Sequence, residues 1–288
     1  MPELPEVETM RRGIAGIVGS RVVDCGPVKC LRKPILISPA AATFRKRAIG
    51  TTVAAVERLG KRVVLRLDSA DSIVIEPRMT GLVLVTDPPS EEHLRFHFRL
   101  QGGSIPEFWY WDRRGLGSVR LFQPKEFATT FGPEKLGPDA LVLSAKELRE
   151  RLQSSRREIK VALLDQRVVT GIGNLYASEI LHLAQIHPQR RCDQLQTRHW
   201  QAIHAAMLEV LEEAIRYEGS TLGDGTYRNA LNEAGGYQNH HRVYARAGEV
   251  CRSCARGAIE RIVQAQRSTF FCPRCQRPQR KPALGRSR

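Results

Sequence analysis

Two pairs of cysteines near the C-terminus constrain the fold of this chain more than any other feature. Cys251-Arg-Ser-Cys254 and Cys272-Pro-Arg-Cys275 are two C-x-x-C units joined by a short segment. Four thiolates in this arrangement close a tetrahedral zinc site without an open position, so the expected Zn²⁺ is structural. The alternative is a cluster of reduced thiols without metal. The alternation of apolar residues between the pairs predicts a β-hairpin.

The chain is strongly basic. Lys and Arg number 45 against 30 Asp and Glu, which gives a net charge of +15 and a pI near 10.0. Such an excess favours a polyanionic partner, DNA or RNA first, although a ribosomal or membrane-surface protein would share it. Basic residues are dense around the cysteines, where a single acid, Glu260, accompanies Arg252, Arg256, Arg261, Arg267, Arg274, Arg277, Arg280 and Lys281.

Length and composition suggest an intracellular protein of two domains. The 288 residues suffice for two hydrophobic cores. No apolar run approaches the roughly 20 residues that span a bilayer, and the N-terminus is acidic where a secretory signal is basic. Seven cysteines, an odd and clustered set, favour metal binding over a disulfide framework. We therefore expect a cytoplasmic or nucleoid location.

Residues 21–123 carry short strand patterns separated by Gly and Pro turns. His93 to Leu100 alternates strictly between polar and apolar residues, which predicts one face in a core and the other toward solvent or ligand. Similar patterns occupy 63–67, 73–75, 82–85 and 118–122. This spacing predicts an antiparallel sandwich or barrel against which an N-terminal helix packs.

The second half has a helical pattern. After a linker at 132–143, Ser144 with Glu147 predicts a capping box for a helix to about Gln153. Further helices are predicted over 159–165 and from Thr197, as its cap, through Ile215. Residues 219–236 contain five glycines and predict a mobile loop.

The segment Asp165 to Glu179 predicts a helix, a glycine-containing turn and a second helix. Asn174 is suited to cap the second helix, whose free amides would bind a phosphate. A plain packing unit is the alternative interpretation.

The N-terminus, Met1-Pro-Glu-Leu-Pro-Glu6, carries a candidate nucleophile. If Met1 is removed, Pro2 has a secondary amine with a pKa of roughly 8, partly unprotonated at pH 7. Such an amine forms a Schiff base with a sugar carbon, and Glu3 and Glu6 lie within one turn to transfer protons. The alternative is a helix start, since Pro5 and acidic residues suit a first turn.

Three motifs together resemble the formamidopyrimidine-DNA glycosylases. They are Pro2-Glu-Leu-Pro-Glu-Val-Glu8, Gly171-Ile-Gly-Asn-Leu-Tyr-Ala177 and Gln266-Arg-Ser-Thr-Phe-Phe-Cys272 with Pro-Arg-Cys275. They occur at the beginning, middle and end of the chain in the order of the family. The related endonuclease VIII branch usually has glycine where this chain has Leu4.

The resemblance implies roles for five catalytic residues. Pro2 matches the nucleophile that attacks C1′ of the damaged nucleotide. Glu3 matches the proton donor and acceptor in sugar-ring opening and elimination, and Glu6 matches a residue that supports this chemistry. Lys61 matches the lysine of β-elimination and phosphate contact. Arg267 matches the arginine that grips phosphates beside the lesion and is linked to δ-elimination.

Other matches concern DNA binding. Met79, Arg114 and Leu116 match three residues that fill the gap left by an everted base. The family usually has an aromatic residue where this chain has Leu116, so less stacking is expected. His93, Lys160 and Asn174 match phosphate-contacting positions. The segment from Ser220 to Tyr237 matches the loop that closes over an everted purine, although its run Asp224 to Asn229 is not a familiar family feature.

The implied fold is α+β with two domains. An N-terminal antiparallel β-sandwich with flanking helices (1–131) is followed by the linker, a helix-two-turn-helix domain (144–240) that includes loop 219–236, a four-cysteine zinc finger (241–281) and a basic tail (282–288).

The implied function is a bifunctional DNA glycosylase and abasic-site lyase of base excision repair. It would excise 8-oxoguanine and formamidopyrimidines from damaged double-stranded DNA through a Pro2 Schiff base and β,δ-elimination. We expect a monomer with no membrane partner, one structural Zn²⁺ and no catalytic metal or organic cofactor. The alternatives are an endonuclease VIII-type enzyme for oxidised pyrimidines and a non-catalytic zinc-finger DNA-binding protein.

Overall fold

Two large hydrophobic cores organise the chain in a computed structural model that describes residues 2–278. One core lies between two β-sheets of the first half, and the other lies among the helices of the second half. Met1, Arg280, Lys281 and the predicted basic tail lie outside the described residues.

The first half forms the predicted β-sandwich. One sheet has the strand order β1-β7-β8-β6 and the other β2-β9-β5-β4-β3. Neighbouring strands are antiparallel, apart from β2 and β9, which run parallel. The strands are β1 (Arg21–Pro27), β2 (Leu36–Ser38), β3 (Val53–Leu59), β4 (Arg62–Leu67), β5 (Ser72–Glu76), β6 (Gly81–Leu84), β7 (Leu94–Gln101), β8 (Glu107–Asp112) and β9 (Ser118–Phe122).

Strand β7 departs from the predicted alternation. His93 lies in a short 3-10 turn before the strand, and the register with β8 shifts between Leu94 and Phe96. This irregularity buries both Arg95 and Phe96. The Arg95 guanidinium donates to the Asp112 carbonyl at 2.8 Å, so the buried cation is hydrogen-bonded.

Helix α1 (Leu4–Gly13) lies where the two cores meet. Val7 and Met10 belong to the sandwich core, whereas Leu4 belongs to the helical core. The helix start predicted from Pro5 and the acidic residues is present, and the structure adds a capping box in which the Glu3 N–H donates to Glu6 Oε2 at 2.9 Å. Helices α2 (Ala41–Ala48) and α3 (Pro124–Phe131) flank the sandwich.

The second half contains α4 (Ala145–Leu152), α5 (Ile159–Leu163), α6 (Asn174–Leu183) and α7 (Thr197–Arg216). Ser144 and Glu147 form the predicted capping box. The prediction that Thr197 caps α7 was wrong, because Gln196 holds the N-cap position and Thr197 is the first helical residue. The predicted apolar face of α7 is buried, namely Trp200, Ile203, Met207, Val210, Leu211 and Ile215.

The predicted C-terminal hairpin consists of β10 (Glu260–Gln264) and β11 (Arg267–Phe271). A two-residue turn, Ala265-Gln266, joins the strands with positive φ at both positions, as a type I′ turn requires. Two of the cysteines contribute to a small core beneath the hairpin, which consists of Val243, Cys251, Ile259, Phe270 and Cys272.

Residues 219–236 contain no helix or strand, but hydrogen bonds fasten the second part of this loop. The Val85 N–H donates to the Ala230 carbonyl at 2.9 Å, and Asn232 Nδ2 donates to the Asp87 carbonyl at 3.1 Å. A segment that follows α7 is thus attached beside the end of β6. The sequence predicted a mobile loop and gave no sign of these attachments.

No helix among residues 2–278 is both long enough and apolar enough to cross a membrane.

Candidate active site

The N-terminal motif and the Gly171–Ala177 motif lie directly against each other. The Leu4 N–H donates to the Gly171 carbonyl at 3.0 Å, and Gly171 has a φ of +108°, which favours glycine. The Glu3 carboxylate lies at the beginning of α6, where Oε1 accepts the Leu175 N–H at 3.1 Å. A Cβ on Gly173 would lie 2.2 Å from the Glu3 carboxyl carbon. The glycines of the second motif therefore make room for the first.

The contact between the Glu3 carboxylate and the beginning of α6 replaces the predicted cap of this helix. Gly173 holds the N-cap position and Asn174 is the first helical residue, so the expectation that Asn174 caps the helix was wrong. The Glu3 carboxylate accepts the amides of Leu175 and Tyr176 instead, at 3.1 and 3.4 Å. A negative charge at a helix N-terminus is also favoured by the helix dipole.

Glu6 is buried and connects three parts of the site. Its Oε1 accepts the Tyr176 hydroxyl at 2.6 Å and the Ser220 N–H at 2.9 Å, while Oε2 accepts the Glu3 N–H. Burial raises the pKa of Glu6, the nearby Glu3 carboxylate raises it further, and these hydrogen bonds oppose the shift. Glu6 thus joins the N-terminus to α6 and to the start of loop 219–236.

Pro2, Lys61 and Arg267 come together from three distant segments to line one cavity of about 270 Å³. Lys61 follows the turn residue Gly60, whose φ is +58° and whose Cβ position lies 2.6 Å from Thr170 Oγ1. Burial lowers the pKa of Lys61, an effect that Glu3 opposes and Arg267 reinforces. The cavity thus places an amine of lowered pKa and a guanidinium beside Pro2.

A second cavity of about 410 Å³ adjoins the first and shares Arg267 with it. Both predicted carboxylates line it, as do parts of loop 219–236. Its lining residues are Glu3, Glu6, Met79, Asn174, Leu175, Ser220, Leu222, Asp224, Tyr244, Arg267 and Ser268. The loop therefore contributes one wall of a chamber that begins beside Glu3.

Lys160 connects the helices to the zinc hairpin. The residue is fully buried, and its Nζ donates to Asn174 Oδ1 at 2.7 Å, Thr269 Oγ1 at 2.6 Å and the Ser268 carbonyl at 3.1 Å. Burial lowers the pKa of Lys160 to about 8. Asn174 Nδ2 donates to the same Ser268 carbonyl at 2.9 Å. Phosphate contact by Lys160 and Asn174 stays a prediction, since this structure places their hydrogen bonds within the protein.

Met79, Arg114 and Leu116 are exposed near one another. The Arg114 N–H donates to Thr80 Oγ1 at 3.0 Å, which joins the turn of Met79 to the loop of Leu116. The two apolar side chains are 39% and 42% exposed, so neither is a core residue. His93 lies edge-on against Trp111 with ring centroids 5.4 Å apart, and burial lowers its pKa.

The roles of Asp112 and Tyr176 in positioning the site residues were not predicted from the sequence. Asp112 is fully buried and accepts the Gly117 N–H at 2.8 Å and the Arg114 N–H at 3.1 Å, which shapes the loop of Leu116. Tyr176 lies within a recognised motif, yet its hydrogen bond to Glu6 spans 170 positions and leaves no local pattern.

The four cysteines have the geometry of a zinc site. Their sulfur atoms all lie within 4.8 Å of one another, with Cys251 and Cys275 separated by 3.9 Å and Cys254 and Cys272 by 3.8 Å. A tetrahedral site with Zn–S bonds of about 2.3 Å requires sulfur separations of about 3.8 Å. Backbone N–H groups of Arg256 and Gly257 lower the pKa of Cys254 to about 6, which favours the thiolate ligand. These residues fit a structural Zn²⁺.

Family models match most of the chain. The formamidopyrimidine-DNA glycosylase N-terminal domain matches residues 1–119, and the H2TH domain of the same glycosylase matches residues 136–225. A zinc finger found in FPG and IleRS matches residues 248–278.

Two named relatives are similar to this chain over nearly their whole length. The formamidopyrimidine-DNA glycosylase of Chloroflexus aurantiacus is 39% identical over 98% of this chain and 100% of its own. The Bacillus subtilis protein of the same name is 35% identical over 96% of this chain and 99% of its own.

Solved structures of the Lactococcus lactis protein are also similar. A mutant in complex with DNA that contains Fapy-dG superimposes with a TM-score of 0.84 at 32% identity, and covers 96% of this chain and 100% of its own. A complex with DNA that contains an abasic site gives 0.83 at 31% identity with the same coverage.

Proposed function

Because the chain belongs to the formamidopyrimidine-DNA glycosylase family, we propose that it excises oxidised purines from double-stranded DNA and then cleaves the resulting abasic site. The observation that carries this proposal is the cavity in which Pro2, Lys61 and Arg267 meet beside Glu3. The resemblance to complexes with Fapy-dG and abasic DNA supports the same substrate class.

The chemistry begins at Pro2. Its amine, once Met1 is removed, attacks C1′ of the damaged nucleotide, the base leaves, and the sugar opens to an iminium ion. Glu3 gives and takes the protons of ring opening. Two backbone N–H groups at the beginning of α6 hold this carboxylate next to Pro2.

Elimination follows at the iminium stage. Lys61 assists β-elimination, since burial lowers its pKa and increases the fraction of neutral amine. Arg267, shared by both cavities, holds the phosphate beside the lesion and assists δ-elimination. The product is a one-nucleotide gap with phosphate at both ends.

The second cavity receives the everted base. Met79, Arg114 and Leu116 enter the duplex where the base has left, which offsets an unstacking cost of a few kcal/mol. His93, Lys160 and Asn174 contact phosphates of the DNA backbone in this proposal. The loop 219–236 closes the chamber and discriminates among bases.

The zinc site has a structural role. Separately, the chain acts as a monomer on DNA of the nucleoid. Zn²⁺ held by Cys251, Cys254, Cys272 and Cys275 fixes the hairpin that carries Arg267. We assign residues 1–131 to the catalytic domain, 144–240 to the helix-two-turn-helix domain and 241–281 to the zinc finger.

Cleavage of duplexes that differ only in one base tests the proposal. The expected result is strand cleavage at 8-oxoguanine and formamidopyrimidine, with phosphate at both new ends, and little cleavage at thymine glycol. Preferred cleavage at thymine glycol would support the endonuclease VIII alternative. Tight binding of all duplexes without cleavage would identify a non-catalytic DNA-binding protein.

A further inference from the structure

The cavity beside Pro2 contains more positive charge than the proposed chemistry uses. Besides Lys61 and Arg267, it is lined by Arg62 and Arg78. Among the described residues that line it, Glu76 is the one carboxylate.

Glu76 is shared among several guanidinium groups. Its Oε1 lies 3.1 Å from Arg78 Nε and 3.3 Å from Arg62 Nη2, and its Oε2 lies 3.9 Å from Arg120 Nη2. One carboxylate neutralises one of these three charges. The cluster therefore keeps a positive excess at the cavity wall.

Two of the three arginines are held firmly. The guanidinium groups of Arg62 and Arg120 lie 5.2 and 5.7 Å from the ring centroid of Phe131 on α3. The Nε of each is buried and has no hydrogen-bond partner in the described structure. Arg78 differs because its side chain is 61% exposed and precedes Met79 directly.

We propose that Arg62 and Arg78 form a further phosphodiester-binding subsite, which Glu76 fills as an internal anion in the free protein. A phosphate of the DNA backbone displaces the carboxylate from Arg78, while Arg62 stays in place on Phe131. Arginine binds phosphate with two parallel, charge-assisted hydrogen bonds. Arg78 is the solvent-exposed partner of its ion pair with Glu76, and an ion pair with an exposed partner contributes little, so its exchange for phosphate costs little. This subsite rests on the proposed function, which supplies the DNA.

Binding to a duplex with a tetrahydrofuran abasic analogue, measured across a salt series, tests the subsite. Arg78→Ala is expected to weaken binding and to make the slope of log K against log salt less negative by about 0.9, the value for one phosphate. Glu76→Gln is expected to tighten binding by roughly two- to fivefold, since the competing anion is removed.

Glu57→Gln is the matched control. Glu57 pairs with Arg66 at 2.8 Å on the same sheet, and neither residue lines the cavity. The substitution changes the net charge equally, so a smaller gain in affinity than with Glu76→Gln separates a local effect from a general one.

Two results would overturn the subsite. One is an unchanged salt slope in Arg78→Ala, which decides the matter even if Glu76→Gln does not fold. The other is weaker binding by a folded Glu76→Gln variant. Failure of the proposed function is distinct, because the wild-type protein would then form no borohydride-trapped adduct with an 8-oxoguanine duplex.

Discussion

The carboxylate of Glu3 accepts the backbone N–H of Leu175 at 3.1 Å, across 172 positions of the sequence. This hydrogen bond joins the segment that carries Pro2, the proposed nucleophile, to the helix that follows the glycine turn. It also satisfies an amide that no residue within α6 can satisfy. One carboxylate therefore both caps a helix and lies beside Pro2.

Gly173→Ala tests this relationship. The new Cβ would lie 2.2 Å from the Glu3 carboxyl carbon, so the carboxylate must shift. A displacement of about 1 Å is expected to lower kcat/KM on 8-oxoguanine DNA about a hundredfold. Val142→Ala is the control, because Val142 is an exposed side chain in the linker 132–143. Equal activities of the two folded variants would contradict the proposed role of Glu3.

Glu6→Gln tests the consequence of the raised pKa of Glu6. As the pH rises above about 4.5, the unfolded chain releases this proton before the folded chain does, so the wild type loses stability that Glu6→Gln does not. The loss is about 1.4 kcal/mol for each unit by which folding raises the pKa. Urea unfolding of both proteins at pH 4 and pH 8 measures it. A stability difference that is independent of pH would show that Glu6 titrates normally.

Removal of zinc is expected to detach Arg267 from the site. A chelator, or Cys254→Ser, should abolish tight DNA binding while the β-sandwich keeps its circular dichroism signal. Cys30→Ser is the control, since Cys30 is a half-buried cysteine outside the cluster. Zinc content and DNA affinity are measured together. Full affinity in metal-free protein would contradict a structural role for the zinc site.

Leu116→Phe should improve insertion into the duplex. Leu116 is 42% exposed beside the turn of Met79, and an aromatic ring adds stacking of about 1 kcal/mol, or roughly fivefold in affinity for abasic-site DNA. Leu116→Ala should weaken binding, whereas Val142→Ala, at another exposed apolar residue, should not. Fluorescence of 2-aminopurine beside the lesion reports the unstacking. No response to either change at position 116 would exclude insertion of this residue.

Much of the fold was predictable because its signals are local. The cysteine spacing, the Ser144 capping box and the apolar face of α7 each lie within one continuous segment of the chain. The structure departs from the sequence prediction where a distant partner intervenes. Asn174 does not cap α6, because the Glu3 carboxylate, from the N-terminal end of the chain, accepts the backbone N–H groups of this helix instead.

The same reason explains what was missed at the site. The attachment of Ala230 to Val85 is a backbone hydrogen bond between segments 145 residues apart, and no side-chain pattern predicts it. The three arginines around Glu76 come from separate strands and the turn after β5. Family motifs predict which residues act at the site, whereas the hydrogen-bond partners of these residues are seen only in the structure.

Mass spectrometry of the borohydride-reduced adduct with an 8-oxoguanine duplex tests whether Pro2 is the nucleophile. Reduction converts the iminium ion to a stable amine, and peptide mapping identifies the nitrogen that carries the sugar. We expect a single link at Pro2, on chains from which Met1 has been removed. A link at Lys61 or at any other residue, or no link at all, would contradict it.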